Sequence, residues 1–207
     1  HYPEVAATPS LQAPAIVHVH AIVMVTWLAL FMTQIWLAAS GRVSLHIRLG
    51  RWVMGYAVVM VIVALLTASQ EFADRLATGD PFRAQRWLFG ILREVAFIVP
   101  FLAAGWAYRG RPEIHKRLML VATVMLIVPA VGRMAFLGKP VPLWGFMLVW
   151  PLPVYLALVH DFRTRRILHP VYVIGIAAML AERLVLPLNT SPAWHAIAAH
   201  ITAFYQP

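Results

Sequence analysis

Gly41-Arg42-Val43-Ser44-Leu45-His46-Ile47-Arg48-Leu49-Gly50 returns in altered form as Gly110-Arg111-Pro112-Glu113-Ile114-His115-Lys116-Arg117-Leu118, and a weaker third copy is Arg165-Arg166-Ile167-Leu168-His169-Pro170. In each copy basic residues and an aliphatic residue precede a histidine, and a long apolar run follows at once. A basic junction that opens directly onto apolar sequence is how a membrane helix begins. The repeat therefore predicts three helical hairpins, each carrying the junction at the same end.

The rest of the composition agrees. Hydrophobic residues make up 61% of the 207-residue chain and charged residues 12%, with a mean hydropathy of +0.75. Soluble globular chains hold roughly 45–50% apolar and about 25% charged residues, and a domain of this size cannot hide such a surplus inside. The formal charge of +9 lies in short loops between apolar runs, so it speaks of membrane topology and not of nucleic acid. The absence of cysteine removes disulfides, thiolate catalysis and thiolate-ligated metal centres. No basic segment precedes the first apolar run, so no signal peptide is expected in the sequence as it stands.

In chain order, residues 1–14 carry Pro3, Pro9 and Pro14 and predict an extended arm. Six spans follow within residues 15–190, at 15–39, 52–69, 87–108, 118–137, 143–159 and 171–188. Between the second and third lies the longest connection, 70–86, which mixes Glu71, Asp74, Arg75, Asp80, Arg83 and Arg86; Asp80 and Pro81 there suit an N-cap and first helical position. Pro100, Pro129, Pro151 and Pro153 fall inside spans and predict kinks. Residues 191–207 predict an amphipathic helix in the membrane interface, with Trp194, Ile197, Ile201 and Phe204 on one stripe and His195 and His200 toward the headgroups or the rim. The expected fold is all-α, a six-transmembrane-helix bundle of three antiparallel hairpins with a C-terminal interfacial helix.

Charge orients the bundle. Arg42, Arg48, Arg51, Arg109, Arg111, Lys116, Arg117, Arg163, Arg165 and Arg166 lie in the loops after the odd-numbered helices, opposed only by Glu113 and Asp161. Those loops are expected in the cytoplasm, with both termini outside. The Ala/Val/Arg-rich composition points to a bacterium, and so to its inner membrane.

Charges within the apolar runs are expensive, on the order of 2.5–3.5 kcal/mol at the bilayer centre on insertion scales. Arg93, Glu94, Arg133, Glu182 and Arg183 all lie in the outer half of the expected bundle. Neighbouring helical positions point apart, so Arg93 and Glu94 should find partners in Glu182 and Arg183 on another helix. An ion-pair clamp that fixes the packing of helices three, four and six is the first reading; three arginines against two glutamates also leave one guanidinium over, which suits a carboxylate, a lipid phosphate or a haem propionate as the alternative. His18 and His20 stand near the outer end of helix one, with His20 the better placed to face inward because Trp27, Phe31 and Gln34 continue its stripe. His46, His115 and His169 open helices two, four and six and His160 closes helix five. Four imidazoles at one level could ligate a metal or haem, or simply cap and anchor their helices.

The histidine near the start of helix one, the His46-x-Arg-Leu-Gly junction and the His115-Lys-Arg-Leu-Met run ending near Arg133 resemble a family of bacterial membrane proteins of unknown function, whose signature carries an H-R-x-x-G junction and a later H-x-x-M run ending in arginine. The resemblance covers about residues 18–137 and implies a polytopic membrane fold without an assigned activity. A looser similarity is to the b-type membrane cytochromes. That pattern needs histidines inside at least three helices, and the interiors of helices two to six contain none. A two-haem relay is thereby disfavoured, while one haem b or a quinone at either face, for instance a haem between His46 and His115, stays open.

Three functional readings follow. The first is a non-catalytic accessory, assembly or sensor protein that binds a partner subunit, lipid or small anion. The second is a haem- or quinone-binding oxidoreductase subunit, and the third a transporter. The third ranks last because the cytoplasmic half of the expected bundle carries no evident buried polar path.

Overall fold

The computed structural model describes residues 14–134 and 142–203, without the side chains of residues 133 and 134. Most of the expected N-terminal arm, the last residues of the expected fourth span and the stripe residue Phe204 lie outside the described residues. Everything regular among those residues is helical. Among the described residues five helices are long and apolar enough to cross a membrane, or six if one bent pair is counted as a single span. The chain is thus an all-helical, multi-pass membrane protein. It divides into two compact units, one ending at Asp80 and one beginning at Pro81.

The first unit is a hairpin of α1 (Ala15–Ala39) and α2 (Val43–Ala77). Gly41, at φ +74°, takes the left-handed conformation that ends α1, and the amides of Gly41 and Arg42 reach back to the carbonyls of Ala38 (3.2 Å) and Leu37 (2.9 Å). Tyr56 on α2 donates its hydroxyl to the Val23 carbonyl of α1 at 2.9 Å. Large apolar side chains remain exposed along both helices, among them Ile22, Val25, Trp52 and Val58, as lipid-facing surface requires.

At 35 residues, α2 is about 50 Å long and outruns a hydrocarbon core of about 30 Å. This corrects the expected 70–86 connection, most of which is helix. The charged residues after Ser69 do not end the helix because they pair along it: Gln70 donates to Asp74 at 2.9 Å and Arg75 to Glu71 at 3.2 Å. The true connection is Thr78 to Asp80, closed by Gly79 at φ +79°.

The second unit begins with α3 (Pro81–Ala107), which runs unbroken through Arg93, Glu94 and Pro100. After the His115 junction come α4 (Pro112–Leu126) and α5 (Val128–Met134), so the expected fourth helix starts earlier and is broken just before Pro129. The expected fifth is also broken. It consists of α6 (Leu143–Val149) and α7 (Leu152–Arg165), bent by 59° around Trp150 and Pro151. Proline cannot donate to the preceding turn, and both breaks fall beside one. Trp150 is buried, and its indole N–H donates to the Val124 carbonyl at 2.7 Å, so the two breaks touch.

Helix α8 (Pro170–Leu184) passes into a 3-10 turn, Leu186–Thr190, in place of a continuous helix to 188. It meets α4 closely: a Cβ on Gly175 would lie 2.7 Å from Val121 Cγ2. Finally α9 (Pro192–Ala203) is capped by Ser191, whose Oγ accepts from Trp194 N at 3.2 Å. Its buried face is Trp194, Ala198 and Thr202, while Ile197 is exposed, which rotates the expected stripe. The reason is Gln85 of α3, whose carbonyl accepts from Trp194 Nε1 at 3.1 Å and whose side-chain oxygen lies 3.0 Å from His195 Nδ1. His195 therefore faces α3, and His200 is exposed with its Nδ1 3.0 Å from its own helix's Ala196 carbonyl.

Candidate functional site: a buried charge cluster at two helix breaks

Helix α3 supplies Arg93 and Glu94, and α8 supplies Glu182 and Arg183. Glu182 is at the centre, only 2% exposed. Arg93 Nε lies 2.7 Å from Glu182 Oε1, and Arg93 Nη2 lies 3.6 Å from Glu94 Oε1. Arg183 donates through Nε and Nη2 to the two carboxylate oxygens of Glu182. Between the helices the expected pair of Arg93 with Glu182 forms. The pairing of neighbours is a correction: Cβ vectors 100° apart do not meet, but an arginine is long enough to fold its guanidinium back onto the preceding carboxylate.

Aromatic rings complete the cluster. The Arg183 guanidinium carbon lies 5.3 Å from the Phe146 ring centroid and 5.4 Å from that of Trp150, within cation–π range. A narrow crevice beside it, without room for a water molecule, is lined by Glu94, Phe97, Ile98, Met125, Val128, Trp150 and Glu182. Arg93 Nε approaches Glu182 at ion-pair distance without hydrogen-bond alignment, and its Nη1 has no hydrogen-bond partner among the described residues.

Arg133 is on α5, with its side chain outside the described residues. His20 is on α1, in the first unit. Arg93 and Arg183 are both engaged by Glu182.

Each junction histidine contacts backbone near a helix start. His46 Nδ1 lies 3.3 Å from the Gln34 carbonyl, and His115 Nδ1 lies 2.7 Å from the Gly105 carbonyl. In both hairpins the histidine at the start of the second helix thus reaches the backbone of the first. His169 instead caps its own helix, its Nδ1 accepting from Val171 N at 3.3 Å. Burial, and then the positive charge of Arg117, hold its pKa below the ordinary histidine value, which preserves the neutral acceptor that the cap needs. His160 is exposed, 3.7 Å from Asp161 Oδ1. Among the described residues no three His, Asp or Glu side chains gather as a metal site.

Sequence reading missed a second buried cluster, at the other end of α4 and α8. Arg117 and Asp161 are both buried, with Arg117 Nε donating to Asp161 Oδ2 at 2.8 Å and Nη1 to Glu113 Oε2 at 2.9 Å. The Tyr172 ring centroid lies 5.5 Å from the guanidinium carbon. The available signal was the i, i+4 spacing of Glu113 and Arg117 together with Asp161 alone at the end of an apolar run. The charge tally had treated all three as loop residues.

Compared with known proteins, the chain matches no family model, no curated protein and no solved structure.

Proposed function

We propose that the chain is a non-catalytic component of a bacterial cytoplasmic membrane, an accessory, assembly or sensor protein that works with a partner membrane subunit. In this reading it has six spans in three hairpins, both termini outside, and α9 in the outer interface. The carrying observation is that charges in the apolar helices are joined helix to helix: Arg93 of α3 to Glu182 of α8, and Arg117 of α4 to Asp161 of α7. Such pairs fix a rigid frame. The large aromatic side chains left outside it, such as Trp52 and Trp144, are available to lipid or to another subunit. Native electrophoresis of mildly solubilised membranes tests this. The chain should migrate in a complex with one second membrane protein at fixed stoichiometry; migration as the chain alone would contradict the proposal.

One observation favours a haem-binding reading. Donation of Nδ1–H to a backbone carbonyl, the geometry of His115, leaves the lone pair on Nε2, the tautomer common among metal-ligating histidines. A Soret band in the purified protein that disappears in His46→Ala or His115→Ala would establish that reading in place of the first.

A further inference from the structure

We propose that the helix mouth formed by the start of α4, the end of α7 and the loop after it binds one acidic phospholipid, with the phosphate between Lys116 and Arg165 and an acyl chain along α7. The site lies in the second unit, at the end of α8 opposite the Glu182 cluster, and the inference goes beyond the accessory role without depending on it. Three cations from two helices meet there on a single carboxylate. Glu113 Oε1 accepts from Lys116 Nζ at 3.0 Å, and its Oε2 accepts from Arg117 Nη1 at 2.9 Å. From α7, Arg165 Nη1 donates to the same Oε2.

The carboxylates do not balance this charge. Asp161 is buried and pairs with Arg117, so Glu113 is left to answer both Lys116 and Arg165. Arg163 and Arg166, at the same end of α7, are exposed and add to the surplus. The side chains of Lys116 and Arg165 are 47% and 46% exposed. An ammonium carries three N–H donors and a guanidinium five, and Glu113 takes one from each. The other donors receive a phosphate without breaking the pairs already made, and an oxyanion between a guanidinium and an ammonium is held by charge-assisted bonds.

The apolar surroundings make the anion a lipid. The chain leaves α7 at Arg166, in the left-handed conformation at φ 57°, and Ile167 and Leu168 follow in a stretch without regular structure, 54% and 55% exposed. Two exposed aliphatic side chains directly after three arginines suit an amphiphile, whose charge and hydrocarbon adjoin. Along α7 itself, Leu152, Leu156 and Val159 are exposed and fall at helical spacing on one face with Arg163. Hydrocarbon contact thus continues along the helix from the end that holds the phosphate. A free phosphate would use the cations alone, and an acidic peptide would leave the stripe of α7 uncovered.

The test is native mass spectrometry of the purified full chain, stripped of lipid in detergent and titrated with dioleoyl phosphatidylglycerol, with dioleoyl phosphatidylcholine as the neutral control and ammonium phosphate as the free anion. Phosphatidylglycerol should bind saturably and at least tenfold more tightly than phosphatidylcholine, and a tenfold excess of inorganic phosphate should not displace it. The double variant Lys116→Gln with Arg165→Gln should lose at least tenfold in affinity for phosphatidylglycerol, with phosphatidylcholine unaffected, and Ile167→Ser with Leu168→Ser at least threefold. Should the Lys116 and Arg165 variant not fold, Arg163→Gln serves, with at least a threefold loss. Arg42→Gln removes an exposed arginine of the first hairpin, stacked on Trp36 at 4.8 Å, and should leave affinity within twofold. Equal affinity for the two lipids, displacement by phosphate, unchanged affinity in the variants of the site, or an equal loss in Arg42→Gln would each overturn the proposal.

Discussion

The carboxylate of Glu182, itself buried, serves two guanidiniums. Glu182→Ala should destabilise the protein by about 3–5 kcal/mol, since Arg93 would remain buried without a counter-charge. Replacing Arg93 and Glu182 together with methionine should cost far less, because the desolvation of both ions disappears with them. Denaturant unfolding in detergent distinguishes the two, and equal losses in the single and double variants would show that the pair contributes little. Much of this was legible in the sequence: isolated charges in apolar runs require partners, and Arg93 with Glu182 was the natural pair. What could not be read was the fold-back of Arg183 onto Glu182, which depends on side-chain torsions and on the faces of Phe146 and Trp150. Arg117 and Asp161 were hidden for another reason. Residues at helix mouths look solvated in a charge count, and only tertiary contact buries them.

At the scale of the element, close approach of α8 to α4 rests on Gly175. A Cβ there would meet Val121 Cγ2 at 2.7 Å and Cγ1 at 2.9 Å, and a β-branched valine on a helix has little freedom to move aside. Gly105 on α3 differs, because its added Cβ would meet the flexible Met119 Sδ at 2.7 Å. Gly175→Ala should therefore cost about 1–3 kcal/mol as an overpacked site, and Gly105→Ala clearly less, when the unfolding temperatures of the two variants are compared. The reverse order would show that α4 and α8 adjust their spacing freely. Helix existence was readable from apolar run length, whereas helix limits were not. The 70–77 stretch looks like a loop because it is charged, yet its i, i+4 pairs keep it helical. The breaks near Ile127 and Trp150 appear in the sequence only as prolines, which in Pro100 leave α3 unbroken.

For the whole molecule, the repeated histidine junction is the organising feature. Two copies place the imidazole Nδ1 against the carbonyl of the preceding helix, His46 against Gln34 and His115 against Gly105, and the third caps α8 through His169. The costly charges of the Glu182 cluster lie near the end of α8 opposite His169. The central claim is that this polarity spans a membrane, with the junctions in the cytoplasm and the Glu182 end outside. The chain contains no cysteine, so single cysteines at the exposed positions Ser40, Thr78, Thr164 and Thr190 report sidedness directly. In intact spheroplasts a membrane-impermeant maleimide should label Thr78→Cys and Thr190→Cys and spare Ser40→Cys and Thr164→Cys until the membrane is permeabilised. Labelling of Ser40→Cys and Thr164→Cys in sealed spheroplasts, with protection of the other two, would contradict the account.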